Sequence, residues 1–347
     1  MAAAQGVPDG WTVGPPDADD LGDLTDLVRR HEQAARGWAS ATPGDVRTEV
    51  APAVTTTRRN VVVRDPGRVV RGWGSAYDRA AGRMVLAVVV DPGLPEDVAD
   101  QVAGSLFGWG LQMAEEVGAR RGLNEQQVDS GAFAGDSRQH RWLDRHGFTR
   151  RRTWWQMSRT VSEDEADLPA GVRDGVRIRR VGRGPDGAPD EGDLRMVHDV
   201  LETSFADHFN SHEETLDEFV SRLGEDRGHR WDHWWIAELV DEEGDLVPAG
   251  ALVGSVTEGA PGAPEGSYVE YLGVLKNARG RGVASSLLRT VIADAARRHR
   301  DRVGLEVDAD SPTRADALYT AMGWRTVYVT ESWHRDVRVP STPEEQP

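Results

Sequence analysis

The chain of 347 residues has no cysteine. Disulfides, thiolate metal sites and a cysteine nucleophile are therefore excluded. It has a single lysine, Lys276, among 41 basic residues, and the rest are arginines. It lacks an apolar run long enough to span a bilayer. Residues 1–11 contain neither the basic nor the apolar stretch of a secretory signal. These absences lead us to expect a cytoplasmic protein with no membrane role. The positive balance of a protein that tracks nucleic acid is also missing, since the net charge is −17. Residues 1–160 carry 21 acidic and 20 basic side chains, whereas residues 161–347 carry 37 and 21. An acidic second half suits a cationic substrate such as an amine, and it equally serves solubility.

The length suggests two domains. Residues 161–175 are acidic, contain Pro169 and have no hydrophobic period, as in a linker. They separate a first domain, 1–160, from a second, 176–338. Residues 339–347 should form a disordered tail. In the second domain the apolar spacing predicts strand 176–181 and helices 193–209 and 213–223. Strands 234–240, 249–256 and 268–275 follow, then a long amphipathic helix 282–300, strand 303–307, helix 314–322 and a last strand from 326. Residues 183–192 read as a surface loop. The first half repeats this order more faintly, with helix 21–35, strands 60–64, 69–77 and 84–90, and helix 96–118. Residues 142–146 precede Gly147-Phe148 as residues 318–322 precede Gly323-Trp324. The chain therefore reads as two diverged copies of one α+β fold, each a mixed, mostly antiparallel sheet flanked by helices.

The strongest motif is Arg279-Gly280-Arg281-Gly282-Val283-Ala284, between a strand and a long helix. The first N–H groups of a helix have no internal partners and lie at the positive end of its dipole, so they form an anion site. Gly280 and Gly282 let the backbone approach a pyrophosphate, and Arg279 and Arg281 add charge-assisted donors. A P-loop would need Gly-Lys-Ser/Thr, and Lys276 stands in the wrong place. A dinucleotide fold would need a third glycine where Ser285 stands, although Glu306 and Asp308 are possible stand-ins for its ribose carboxylate. A Gly-rich turn without a ligand is the remaining reading.

Arg279-x-x-Gly282-x-Ala284 between strand and helix, with Leu318-Tyr319-x-x-x-Gly323-Trp324 downstream, resembles the coenzyme A signature of the GNAT N-acetyltransferase superfamily. The resemblance covers residues 172–337 well and 10–160 weakly. The tandem layout with a degenerate first copy is similar in architecture to the mycothiol synthase family. The resemblance implies two tandem GNAT-like acyl-CoA N-acyltransferase domains. The acyl group, with acetyl assumed, would pass from acyl-coenzyme A to an amine of a small molecule or peptide, without a metal. Glu270 is then the candidate general base and Tyr319 the candidate acid toward the departing thiolate. Leu272, Gly273 and Val274 would supply backbone contacts, including an oxyanion site around 273–275, with Gly273 compatible with a bulge. Ser285 completes the cradle. Ser311 stands where the family often has an asparagine contacting pantetheine. The acceptor wall is expected near Phe205, His208 and Trp235. His208, His212 and His233 form no recognisable metal pattern. The sequence leaves the oligomeric state open.

Setting Val90 against Val274 places Pro95-Glu96-Asp97-Val98 opposite the cradle, and setting Gly147 against Gly323 places Leu143 opposite Tyr319. The first copy is thus expected to be silent, a scaffold or a second wall for the acceptor pocket. The rival to an enzyme is a module that binds coenzyme A without turnover.

Overall fold

The computed structural model describes residues 6–50, 57–79, 82–167, 175–185, 187–206, 214–224, 226–259, 263–311 and 315–340. His208, His212, Pro312 and the tail after residue 340 lie outside the described residues, as do residues 168–174 of the expected linker, Pro169 among them.

In chain order the first half holds β1 (Thr12–Gly14), α1 (Leu21–Arg36), α2 (Pro43–Val50), β2 (Arg58–Arg64), β3 (Val70–Asp78), β4 (Arg83–Val90), α3 (Glu96–Arg120), β5 (Glu125–Phe133), α4 (Ser137–Arg145) and β6 (Thr149–Thr160). The second half holds β7 (Val176–Arg180), α5 (Glu191–Phe205), α6 (Leu216–Gly224), β8 (His229–Val240), β9 (Leu246–Thr257), β10 (Gly266–Val274), α7 (Val283–Arg297), β11 (Arg302–Asp308), α8 (Ala315–Ala321) and β12 (Arg325–Arg338). The mixed sheets and flanking helices are those the sequence implies. The sequence reading did not anticipate α2, β5 or β6, and it began β8 five residues late.

The chain forms two compact units that are not sequential blocks. Unit 1 is Met1–Trp155 with Asp308–Asp310 and Tyr328–Pro347, and unit 2 is Gln156–Val307 with Ser311–Val327. Unit membership thus departs from chain order at β12, most of which belongs to unit 1.

In unit 1, β1 to β4 pair antiparallel in order, β4 pairs parallel with β5, and β12 pairs antiparallel with β5 from Thr330↔Phe133 to Arg338↔Glu125. Side chains alternate across a strand. Val62 therefore packs with Leu24, Leu27 and Val46 of α1 and α2. Its neighbours Val61 and Val63 pack with Val102 and Leu106 of α3 on the other face. Trp333 and Val337 of β12 are buried in that second core.

In unit 2, β7, β8, β9 and β10 pair antiparallel in order. β10 pairs parallel with β11 over Ser267–Val269 and Val303–Leu305. Trp234, Ile236 and Val253 face α5 and α6, packing on Val197, Leu201 and Phe219. α7 buries Val283, Leu287, Leu288, Val291 and Ile292. These recur at three- and four-residue spacing, the stripe of a core-facing helix.

Candidate active site

The recorded pairing of β10 with β11 ends at Val269, while that with β9 continues to Val274. Beyond Val269 the two parallel strands therefore separate. At the same point β10 slips by one residue: Val269 faces Gly254 and Tyr271 faces Val253, leaving Glu270 as the extra residue. The bulge lies at Glu270, and Gly273, which the sequence makes compatible with one, pairs regularly with Ala251. A bulge re-aims side chains. Tyr271 packs among the aromatics facing α5 and α6, and Glu270 is reached there by Ser255, whose hydroxyl donates to Oε1 at 2.6 Å.

Glu270 has its pKa raised above the ordinary carboxylate range. Burial is the main cause, the Ser255 hydrogen bond opposes it, the Asp226 and Glu306 carboxylates add to it, and the Arg222 guanidinium counters it. Arg222 is itself fixed by a bidentate pair with Glu214 at 2.8 and 2.7 Å, and it donates to the Tyr271 hydroxyl at 3.0 Å.

Gly273 marks where α5 comes closest to the strand. A methyl group there would meet Leu201 Cδ2 at 2.9 Å and Ser204 Cβ at 3.1 Å. The Leu275 N–H donates to Ala249 O at 3.0 Å, so it is not open to an oxyanion as expected. Antiparallel bonding alternates along a strand, and the register sets Gly273 opposite Ala251 in the same phase. The N–H groups of Leu272 and Val274 consequently point away from β9, to the side where β11 has departed.

The chain then turns through Lys276–Ala278 into the start of α7. Gly280 and Gly282 have φ of +76° and +83°, where a side chain is strained. Gly282 caps the helix, and its carbonyl accepts from the Ser286 N–H and from the hydroxyls of Ser285 and Ser286. Among the described residues, the N–H groups of Gly280, Arg281 and Gly282 have no backbone acceptor. Those of Val283, Ala284 and Ser285 open a helix, so they have no acceptor within it. Arg279 and Arg281 are exposed beside them. A helix start of this kind, with two exposed guanidinium groups beside it, has the donors to hold an anion.

Tyr319 projects from α8 and is 8% exposed, with its ring 6.1 Å from that of Trp324. Burial pushes its hydroxyl up to about 12. Ser311 is half-buried on the loop after β11.

Of the expected acceptor residues, Phe205 stands edge-on to Tyr271 with ring centres 6.3 Å apart, while His208 lies outside the described residues. Trp235 is 2% exposed and alternates with Trp234, so it points to the other face, against Arg180. That places it in the core, away from the expected acceptor wall. Near Glu270 the Tyr271 ring packs on the buried Phe219, while His229 lies 4.4 Å from Trp231 and 5.6 Å from the buried Trp234. A three-residue register shift in β8 brings these rings together. His233 uses both ring nitrogens, on Asp232 and Arg300. Among the described residues no three His, Asp or Glu side chains cluster as metal ligands, and no helix is long and apolar enough to cross a membrane.

This site, at the separation of two parallel strands in one copy of a doubled fold, defines a class, and comparison with known proteins agrees. The Acetyltransferase (GNAT) family profile matches residues 194–324. A GCN5-related N-acetyltransferase from Sphaerobacter thermophilus superposes with a TM-score of 0.74 at 22% identity, over 97% of this chain and 98% of that one. A tandem GNAT protein from the clavulanic acid biosynthesis pathway gives 0.67 at 18%, over 96% and 100%. Residues 194–324 thus match the GNAT acetyltransferase family, and the chain as a whole has the fold of tandem GNAT proteins. Among curated proteins, a mycothiol acetyltransferase of Stackebrandtia nassauensis is 29% identical over 195 residues, which is 55% of this chain and 58% of that protein.

Proposed function

We propose that unit 2 transfers an acyl group from acyl-coenzyme A to an amine. The observation that carries this is the joint placement of an open helix start and a bulged carboxylate on the two sides of one strand end. The pyrophosphate would lie on the N–H groups from Gly280 to Ser285, with Arg279 and Arg281 supplying charge. The pantetheine arm would run along the free edge of β10. The name of the Stackebrandtia relative favours acetyl as the group carried.

An alkylammonium of pKa about 10.4 is neutral only about once in a thousand molecules at pH 7. Glu270, directly or through water, takes the proton. The freed nitrogen attacks the thioester carbonyl, and the oxygen gathers charge facing the N–H groups of Leu272 and Val274. Collapse breaks the carbon–sulfur bond and releases the thiolate. Tyr319, at about 12, stays protonated throughout the working range. Handing its proton fully to a thiolate of pKa about 8.5 is uphill by about 5 kcal/mol. Its part is therefore a hydrogen bond to the developing thiolate, with protonation completed from solvent. Glu270, Asp226 and Glu306 together favour an acceptor that arrives as a cation, and Tyr271, Phe205 and Trp231 offer it an aromatic wall. We assign no coenzyme to unit 1.

A panel of small-molecule and peptide amines, assayed by release of free thiol from acetyl-coenzyme A, tests this. Release that depends on an amine and disappears in Glu270→Gln supports the enzyme. Tight coenzyme binding with no amine-dependent release across the panel supports the binding module instead.

A further inference from the structure

Ser255 is 3% exposed in the middle of β9, where a solvent-facing role is impossible, yet it carries a hydroxyl. A buried hydroxyl needs a partner, and it has one in Glu270 Oε1 at 2.6 Å. The two residues are diagonal neighbours. Ser255 faces Tyr268 in register, and Glu270, two residues further along β10 and the extra residue at the slip before Tyr271↔Val253, comes within its reach. The hydrogen bond occupies one carboxylate oxygen. Among the described residues the other, Oε2, has no hydrogen-bond partner in the protein.

We propose that Ser255 is a positioning residue for the acyl-transfer reaction, clamping one oxygen of Glu270 so that the other is held toward the incoming amine or its bridging water. This rests on Glu270 being the base, and it adds a residue and a geometry to that reading. A carboxylate on a bulged strand has free χ angles unless something holds it, and general-base transfer requires hydrogen-bond reach to the proton taken. The clamp also favours the charged carboxylate, because a hydroxyl donates more strongly to an anion than to a neutral acid. It thereby opposes the burial that raises the Glu270 pKa. The other charged groups facing Glu270 are Asp226 before β8, Glu306 on β11 and Arg222 on α6. His229 on β8 pairs with Ser255 in register, and burial lowers its pKa. The two carboxylates act against ionisation; Arg222 acts for it through its charge, and Ser255 does so through a hydrogen bond to the carboxylate.

The test reads Glu270 itself. Carbon-13 NMR of the Glu side-chain carboxyl carbons, with the Glu270 signal identified by its loss in Glu270→Gln, gives its titration in the full chain. In Ser255→Ala the midpoint should move upward by about one pH unit or more, since a hydrogen bond to a charged group contributes about 1.5–3 kcal/mol. Ser255→Thr, which keeps a hydroxyl and suits a strand, should return it toward the wild-type value. Acetyl-coenzyme A affinity by calorimetry should be the same in both variants, showing that unit 2 remains folded. A Glu270 titration unchanged in Ser255→Ala overturns the clamp and leaves acyl transfer untouched. Full amine-dependent thiol release by Glu270→Gln overturns the base assignment, whatever the NMR titration reads.

Discussion

Glu270 is the extra residue of a bulge, and Ser255 on the neighbouring strand meets its carboxylate. Its raised pKa gives a direction for pH dependence. The base works only when ionised, so the rate should fall as pH drops through the Glu270 pKa, at a pH above the usual carboxylate range. A kcat/KM profile measured by thiol release checks this, and Glu270→Gln should remove that limb while lowering kcat by roughly 10²–10⁴-fold. Tyr319→Phe should lower kcat with little change in coenzyme affinity, because a donor to the transition state is lost while the packing on Trp324 is kept. Retained activity in that variant would make Tyr319 a packing residue. Both residues are candidates that the family resemblance names from their positions relative to the cradle. Ser255, Arg222 and Tyr271 were not legible, because each reaches the Glu270 end of β10 through a cross-strand or helix–strand contact with no counterpart in local spacing.

At the scale of elements, the cradle is a local object and was readable for that reason. Two glycines at positive φ, a helix start and flanking arginines all lie within six residues. Gly282→Asp would place a side chain in the left-handed region and a negative charge at the anion site, and should weaken acetyl-coenzyme A binding by at least about tenfold. Arg279→Ala removes one charge-assisted contact and should cost roughly ten- to a hundredfold. Calorimetry that finds unchanged affinity in both would refute the cradle. The bulge and the departure of β11 were not readable, because register belongs to a pair of strands, and Gly273, the obvious glycine on β10, serves the close approach of α5 instead. Trp235 shows the same limit. Adjacent tryptophans on one strand must point to opposite faces, and only the packing of β8 tells which one meets α5 and α6.

At the scale of the molecule, the doubling was visible as a repeated order of elements, but the fate of the last strand was not. Nothing in residues 325–338 marks that Tyr328 onward completes unit 1, where Trp333 is 6% exposed in the core. Trp333→Ala should cost about 3–5 kcal/mol. Hydrogen exchange should locate the loss of protection in β5, its partner in unit 1. Protection lost chiefly in β8 and β9 would contradict the assignment. The proposal that unit 1 binds no coenzyme is supported by the start of α3. Pro95 offers no N–H, Glu96 pairs with Arg141 at 2.8 Å, and Asp100 takes Trp142, Arg141 and Arg145. Burial pushes Asp100 upward, yet these hydrogen bonds hold it at about 2. An anion arriving there would meet carboxylates whose arginine partners are already engaged. The central claim, one coenzyme site in unit 2, is tested most directly by native mass spectrometry with acetyl-coenzyme A. One molecule should bind per chain, bound still in Val98→Asp and lost in Gly282→Asp. Two bound molecules, or one that survives Gly282→Asp and disappears in Val98→Asp, would contradict the account.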